Sequence, residues 1–537
     1  MTQKYPISVP HQLHTQASLD PDTFIRELKN DNFALILLNS KTTNSTMANG
    51  FLPYHEPGTV QILIIVSFFF FLSLAKWVSA KIIHAGIIGQ IAVGIIYGVP
   101  LANILEHTWQ ETFLALGYVG LILIIFEGGL GTRVDLLKQN FTLSMVGAAT
   151  GVCFPIALSY LLLYLGFGYG AVETFIIGAA LSATSLGTTF AVISSASSSV
   201  NLSETRVGSV LVSAAVIDDV VGLVMLSVIG DLGKLTPNTN LGWLIGRPIV
   251  ASVGMAITTP IVTKWIFAPI FRKYIEYHFA RFDHISNIIL MILVLSAFIA
   301  IAGFTGTSVL FGAFLAGVFM TYIPSKRPEG PFVVMSREQG EREDDKSPTF
   351  VHTFEKYFLD PQEYLMEPLF FSSIGFAIPF LDLWTGERIW RGIVYTLLMA
   401  FAKCIVGIWV PIWQLTMGNK SQKQAKGEKK RKPSHEEQIV RRDQWRRAWL
   451  AAALLGSAMV ARGEIGLLII EIGHNETPYV SDEGFITGVW AILLNTIIGP
   501  VTVGLMVRFY GSKLEEGDWG LQSPLPVESQ EIGHGAV

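Results

Sequence analysis

The chain has 537 residues, of which 51% are hydrophobic and 15% charged, and its formal net charge is −4. Soluble proteins carry about 25% charged residues, so this composition indicates a membrane protein. The slight negative charge gives no reason to expect a nucleic-acid partner. Both cysteines, Cys153 and Cys404, lie in apolar runs, and we expect them to be inert, buried thiols.

Apolar runs of membrane-spanning length recur between residues 58 and 510. A hydrocarbon core about 30 Å thick needs about 20 apolar helical residues. The sequence therefore predicts an all-α, polytopic membrane protein with thirteen spans, the eighth and ninth separated at Gly303–Gly306. The predicted spans are 58–76, 82–99, 113–131, 141–165, 172–196, 208–230, 243–269, 285–303, 306–323, 363–382, 391–414, 448–472 and 485–509.

The loops that follow odd-numbered spans carry most of the lysine and arginine. By the positive-inside rule these loops are cytoplasmic. They include the loops 324–362 and 415–447, and the short tail 511–537 lies on the same side. The polar amino-terminal segment 1–57, which lacks the features of a secretory signal, is then outside or lumenal. The membrane itself, plasma membrane or endomembrane, stays open.

The 415–447 segment is strongly basic and includes the run Lys429–Lys432. One interpretation is a solvated loop that sets the topology. The other is an electrostatic contact with anionic lipid of the cytoplasmic leaflet. The sequence leaves both interpretations open.

Two adjacent aspartates, Asp218 and Asp219, lie in the middle of the apolar run 208–230. A carboxylate at the centre of the bilayer costs about 2.5–3.5 kcal/mol on insertion scales, and such residues mark ion or proton pathways. Neighbouring helical positions point about 100° apart. We therefore expect one carboxylate to bind a transported ion and the other to bind a residue of the protein.

Two further charged residues lie in predicted spans. Lys403 is in the middle of span eleven, where a buried ammonium needs an anion, and the aspartate pair is the obvious candidate. The alternative is a lysine near the end of a tilted helix. Glu127 lies near the inner end of span three, and we expect it to have a supporting role.

Two spans are interrupted by small residues at mid-depth. Span five contains Leu181–Thr189, with Thr184 and Ser185, and span twelve contains Arg462 and Glu464 between glycines. Broken helices at equivalent positions of two halves are typical of inverted-repeat transporters, and their unwound carbonyls and hydroxyls can bind a small cation. Close helix packing through small residues is the alternative for span five. For Arg462 and Glu464 we expect a role in ordering neighbouring helices.

The chain resembles the monovalent cation:proton antiporters, and within them the cation:proton antiporter-2 branch. The resemblance extends from about residue 58 to residue 510. The segments that carry it are Gly89–Gly94, Ala183–Ser185, Ala215–Asp219, Leu310–Gly317, Pro368–Gly375 and Arg462–Glu464.

The resemblance implies a homodimer in which a mobile core domain contains two crossing discontinuous helices. It implies that Asp219 is the principal carrier of cations and protons and that Asp218 pairs with Lys403. Asp219, Asp218 and Thr184 would form the cation site with Ser185 beside them. A paired-aspartate form with a lysine implies electrogenic exchange.

The expected function is antiport of Na⁺, Li⁺ or K⁺ against protons by alternating access, with no enzymatic activity and no resident cofactor. A sodium-coupled symporter of organic solutes and a cation channel are the two alternatives. Uptake of labelled solute would identify the symporter, and currents without a proton gradient would identify the channel.

Overall fold

The computed structural model describes residues 56–132, 140–185, 205–233, 241–279, 283–323, 349–424, 435–515 and Trp519. Within these ranges every regular element is a helix, and eight helices are long and apolar enough to cross a membrane. Shorter apolar helices accompany them, and residues 64–537 form one compact unit. The all-α fold class is confirmed, whereas the count of thirteen spans stays a prediction.

The first six helices belong to the predicted spans one to six. The helix α5 ends at Ala180, directly before the interruption predicted at Leu181–Thr189, and the part of span 172–196 beyond Ser185 lies outside the described residues. Their bounds are α1 Thr59–Ile83, α2 Gly86–Tyr97, α3 His107–Leu130, α4 Phe141–Ser159, α5 Ala171–Ala180 and α6 Arg206–Leu232.

The next three helices are α7 (Leu241–Val262), α8 (Asp283–Thr305) and α9 (Val309–Tyr322). The turn between α8 and α9 places Gly306 at φ +83°, a conformation that a residue without a Cβ adopts at no steric cost. The predicted separation of spans eight and nine is therefore confirmed.

Seven further helices, α10 to α16, lie along the chain before and after the second predicted break, which separates α14 from α15. The helices α13 and α14 extend into the predicted loop 415–447, so only 425–434 of that loop lies outside the described residues. Helix-forming Glu, Gln and Arg residues explain this extension. The bounds are α10 Phe350–Tyr357, α11 Glu367–Ala377, α12 Gly386–Cys404, α13 Trp409–Gln424, α14 His435–Ala458, α15 Glu464–Asn475 and α16 Asp482–Glu515.

The aspartate-bearing helix α6 packs against α4 and α15, and α12 packs against α4 and α16. This arrangement brings the predicted site residues of α6, α12 and α15 into one region. Cys153 and Cys404 are both exposed on the surface of the protein, so the expectation of buried thiols was wrong. Apolar runs of a membrane protein face lipid as well as protein, and apolar sequence alone does not distinguish the two.

Candidate ion-binding site

The helix α6 places the two aspartates at its middle. Its first turn is capped by Thr205, whose Oγ1 accepts a hydrogen bond from the Gly208 amide at 3.1 Å. Asp218 is fully buried, whereas Asp219 is partly exposed. The two carboxylates thus face different surroundings, because consecutive helical residues are rotated by about 100°.

Asp218 is bound by two other buried side chains. Its Oδ2 accepts hydrogen bonds from Lys403 Nζ at 2.6 Å and from Thr184 Oγ1. Lys403 Nζ also donates to Thr184 Oγ1 at 2.8 Å. The Lys403–Asp218 pair that the resemblance implied is present, and each charge compensates the burial of the other.

The non-helical segments that follow α5 and α14 meet beside this pair. The Ser185 amide donates to the Ala461 carbonyl at 2.9 Å. A Cβ at Gly463 would lie 2.5 Å from Cβ of Ser185, so only glycine allows the two backbones to come this close. The structure therefore shows two interrupted helices in contact at their breaks, although the continuation of the first beyond Ser185 lies outside the described residues.

Arg462 links the two breaks. Its fully buried guanidinium donates through Nη1 to the carbonyls of Ala183 at 3.0 Å and Met459 at 3.4 Å. Its own carbonyl accepts a hydrogen bond from Thr496 Oγ1 at 3.0 Å. Carboxyl ends of helices carry partial negative charge and unsatisfied carbonyls. Arg462 satisfies such carbonyls at both breaks, which fits the expectation that it orders neighbouring helices.

The two predicted glutamates occupy different places. Glu464 is the first residue of α15, where the positive end of the helix favours a carboxylate. It is close enough to Asp219 for the two side chains to interact electrostatically. Glu127 is held by another segment, since its Oε2 accepts a hydrogen bond from Gln362 Nε2. Glu464 thus belongs to the aspartate site, and Glu127 contacts a helix outside the crossing.

Each aspartate of the site has one buried carboxylate oxygen that accepts no hydrogen bond from the described residues. Within the part of the chain that the structure describes, Asp218 Oδ1 and Asp219 Oδ1 are buried and have no hydrogen-bond partner. Three carboxylates (Asp218, Asp219 and Glu464) meet two cations (Lys403 and Arg462), which leaves one negative charge when all are ionised. One proton or one monovalent cation neutralises such a site.

Sequence reasoning missed two residues that shape the site. Gly151 on α4 leaves room for the ammonium, because a Cβ there would lie 3.3 Å from Lys403 Nζ. Thr496 on α16 supports the Arg462 backbone. Neither had a signal in the sequence, since a glycine and a threonine within apolar helices are ordinary packing residues.

The chain is similar to known membrane transport proteins along most of its length. The family model described as "Sodium/hydrogen exchanger, transmembrane" matches residues 66–509. A Na(+)/H(+) antiporter of Enterococcus hirae is 24% identical over 450 residues, which are 82% of this chain and 96% of the relative. The Na(+)/H(+)-K(+) antiporter GerN of Bacillus cereus is 23% identical over 430 residues, which are 80% and 91% of the two chains.

A solved antiporter structure has a similar fold. The sodium proton antiporter MjNhaP1 from Methanocaldococcus jannaschii, solved at pH 8, matches with a TM-score of 0.53 and 18% sequence identity. The match covers 84% of this chain and 99% of that protein. The expectation of a multi-pass cation:proton antiporter is confirmed at the level of the family, and the chain belongs to the transmembrane sodium/hydrogen exchangers.

Proposed function

We propose that the protein exchanges Na⁺, Li⁺ or K⁺ for protons at Asp219, with Asp218, Thr184 and Ser185 completing the cation site. The observation that carries this proposal is the contrast between the two carboxylates. Asp218 is fully buried and paired with Lys403, whereas Asp219 is partly exposed and makes no ion pair within the described residues. Relatives named for Na(+)/H(+) and for Na(+)/H(+)-K(+) exchange support the same class of cargo.

Cation transport is coupled to proton transport because the ionised site carries one negative charge in excess of its positive charges. Either a proton or a cation neutralises the site, and a second positive charge in the same buried volume is repelled. The two ions therefore bind alternately. Domain movement around a mid-membrane site then exposes the bound ion to one side at a time, and the crossing held by Arg462 is where the two interrupted helices move together.

Lys403 makes the exchange electrogenic in this proposal. A cation that binds between the carboxylates competes with the Lys403 ammonium for Asp218. Once displaced, the buried ammonium has lost its counter-ion, and it releases its proton to become a neutral amine. Two protons, one from Asp219 and one from Lys403, then leave for each cation that enters. The cation-loaded site therefore carries one negative charge more than the protonated site, and the exchange moves net charge across the membrane.

The first test is reconstitution into vesicles with a pH-sensitive dye, adding Na⁺, K⁺ and Li⁺ in turn with and without a clamped potential. We expect Asp219→Asn to abolish cation-dependent proton flux, because the amide holds neither a proton nor the charge for a cation. The matched control is Asp231→Asn, at the end of the same helix, and it should retain exchange. Full proton-coupled flux in Asp219→Asn would refute the assignment.

The same vesicles address the other classes. Uptake of a labelled organic solute, or currents that need no proton gradient, would favour the symporter or the channel, neither of which the comparisons favour. The cytoplasmic carboxyl terminus and the homodimer complete the proposal, and they rest on the loop charges and on the resemblance to the family.

A further inference from the structure

One face of α14 forms a groove with both aromatic and basic walls. The groove has a volume of about 510 Å³ and is lined by Arg442, Trp445, Arg446, Trp449 and Leu450. These positions are three or four apart, so they share one face of the helix. Both arginines are exposed, and Trp449 is 53% exposed. We call this surface the Arg442–Leu450 groove.

The position of the groove along α14 sets its depth in the membrane. The helix ends at Ala458, beside the mid-membrane crossing. With a rise of about 1.5 Å per residue, Trp449 lies about 15 Å from the crossing, at the edge of a hydrocarbon core about 30 Å thick. Arg446 and Arg442 lie about 20 Å and 26 Å from it, at the level of the lipid headgroups.

The chemistry of the groove matches that depth. Tryptophan is enriched at membrane–water interfaces, where its ring meets the lipid backbone and its N–H meets water. Guanidinium groups bind phosphate through paired N–H donors. Asp443 is the nearest acidic neighbour along the helix; it points about 100° away from Arg442 but lies three residues before Arg446, near the same face. Two arginines and one aspartate leave this end of the groove with a net positive charge at the level of the headgroups, with the two indoles beneath it.

We propose that the Arg442–Leu450 groove binds the headgroup of an anionic phospholipid. Arg442 and Arg446 bind the phosphate, while Trp445, Trp449 and Leu450 contact the glycerol and the first methylenes of the acyl chains. This proposal narrows the sequence expectation for 415–447 from a basic loop to one helical face. It does not rest on ion exchange, although α14 leads directly into the break that contains Arg462.

The test measures lipid binding to the purified full-length protein in a neutral detergent. Native mass spectrometry would follow titrations with phosphatidylglycerol and with phosphatidylcholine. We expect Arg442→Gln/Arg446→Gln to lower the affinity for phosphatidylglycerol by roughly 10- to 30-fold, since each cation near a lipid surface contributes a several-fold gain. The control Arg508→Gln/Lys513→Gln removes two exposed cations from α16 and should leave the affinity unchanged.

Two further variants keep the result interpretable. Arg442→Lys/Arg446→Lys retains the charge and loses the paired donors, and we expect a smaller loss of about threefold. Trp449→Ala should weaken phosphatidylglycerol and leave the binding of soluble glycerol phosphate unchanged. An unchanged affinity in both double arginine variants would overturn the proposal. The proposal would also be overturned if phosphatidylcholine, or glycerol phosphate without acyl chains, bound as tightly as phosphatidylglycerol does.

Discussion

Adjacent residues of one helix serve different purposes at this site. Asp218 and Asp219 are chemically identical, and the rotation of α6 assigns one to Lys403 and leaves the other partly exposed. A buried carboxylate with a strong partner is a poor carrier, because any cargo must first displace that partner. A partly exposed carboxylate without an ion-pair partner needs no such displacement, which is why we propose Asp219 as the carrier. The sequence predicted two roles, and the packing of α6 shows which of the two carboxylates is paired within the protein.

Lys403→Gln tests the pair itself. The change leaves the buried Asp218 carboxylate without its ammonium, so we expect the free energy of unfolding to fall by about 3–5 kcal/mol. The double variant Asp218→Asn/Lys403→Gln removes both charges and should recover most of that loss. Thermal unfolding in detergent measures both, with the exposed Lys513→Gln as control.

The same variant has a functional readout. If Lys403 releases the second proton, exchange by Lys403→Gln should respond to a clamped membrane potential differently from the wild type. Unchanged stability together with an identical voltage response would show that the pair neither supports the fold nor couples the ions.

At the scale of elements, composition predicted the two helix breaks after α5 and α14, but it did not predict the contacts between them. Glycine and hydroxyl residues at mid-depth predicted interruptions, and residues 183–185 and 461–463 are indeed not helical. The hydrogen bond from Arg462 to Ala183 joins residues 279 positions apart. Local periodicity carries no information about such a pair, so the sequence predicted a charged residue at the break without its carbonyl partners.

Gly463→Ala tests the contact between the breaks. The added Cβ would lie 2.5 Å from Ser185 Cβ and Oγ, so the two non-helical segments must separate. We expect a loss of about 1–3 kcal/mol of stability and a larger loss of exchange. The control Gly254→Ala adds a methyl group in α7, where nothing lies within 4 Å. Equal exchange rates in the two variants would show that the crossing tolerates separation.

A contact of the carboxyl-terminal segment 511–537 could not be predicted from its composition. The segment 511–537 was predicted as a short cytoplasmic tail; within it α16 continues to Glu515, and Trp519 is 4% exposed. The Trp519 Nε1 donates to Gln414 Oε1 at 2.6 Å, and its carbonyl accepts from the Val207 amide at 3.3 Å. A single tryptophan in polar sequence gives no periodic signal, so only the structure joins this residue to the start of α6.

At the scale of the whole molecule, hydropathy was sufficient for the fold class and insufficient for the assembly. Apolar runs of about 20 residues predicted an all-helical membrane protein, because a run of that length crosses the bilayer as a helix. The same runs do not distinguish lipid-facing from partner-facing surfaces. Phe70 and Trp77 on α1 are 60% and 61% exposed, and either lipid or a second copy could cover them. The homodimer therefore stays a prediction.

The stability of the whole fold depends on pH through a carboxylate outside the membrane-spanning helices. Glu355 lies on α10, an eight-residue helix. Burial raises the pKa of Glu355 to about 7, and the nearby Glu127 carboxylate adds to the shift. Its pKa in the unfolded chain is about 4.3. The folded protein therefore binds this proton more tightly than the unfolded chain does.

The sign of the effect follows from that difference. The neutral carboxyl is the form that the fold favours, so its contribution is fully present below about pH 4.3 and is lost as the pH rises to about 7. We expect the wild type to lose thermal stability across this window relative to Glu355→Gln, which cannot ionise, with no further divergence above it. Glu387→Gln, at an exposed position of α12, should follow the wild-type curve. Parallel curves for the wild type and Glu355→Gln would mean that this carboxyl group has the same pKa in the folded protein and in the unfolded chain. Burial of Glu355 on α10 would then not raise its pKa.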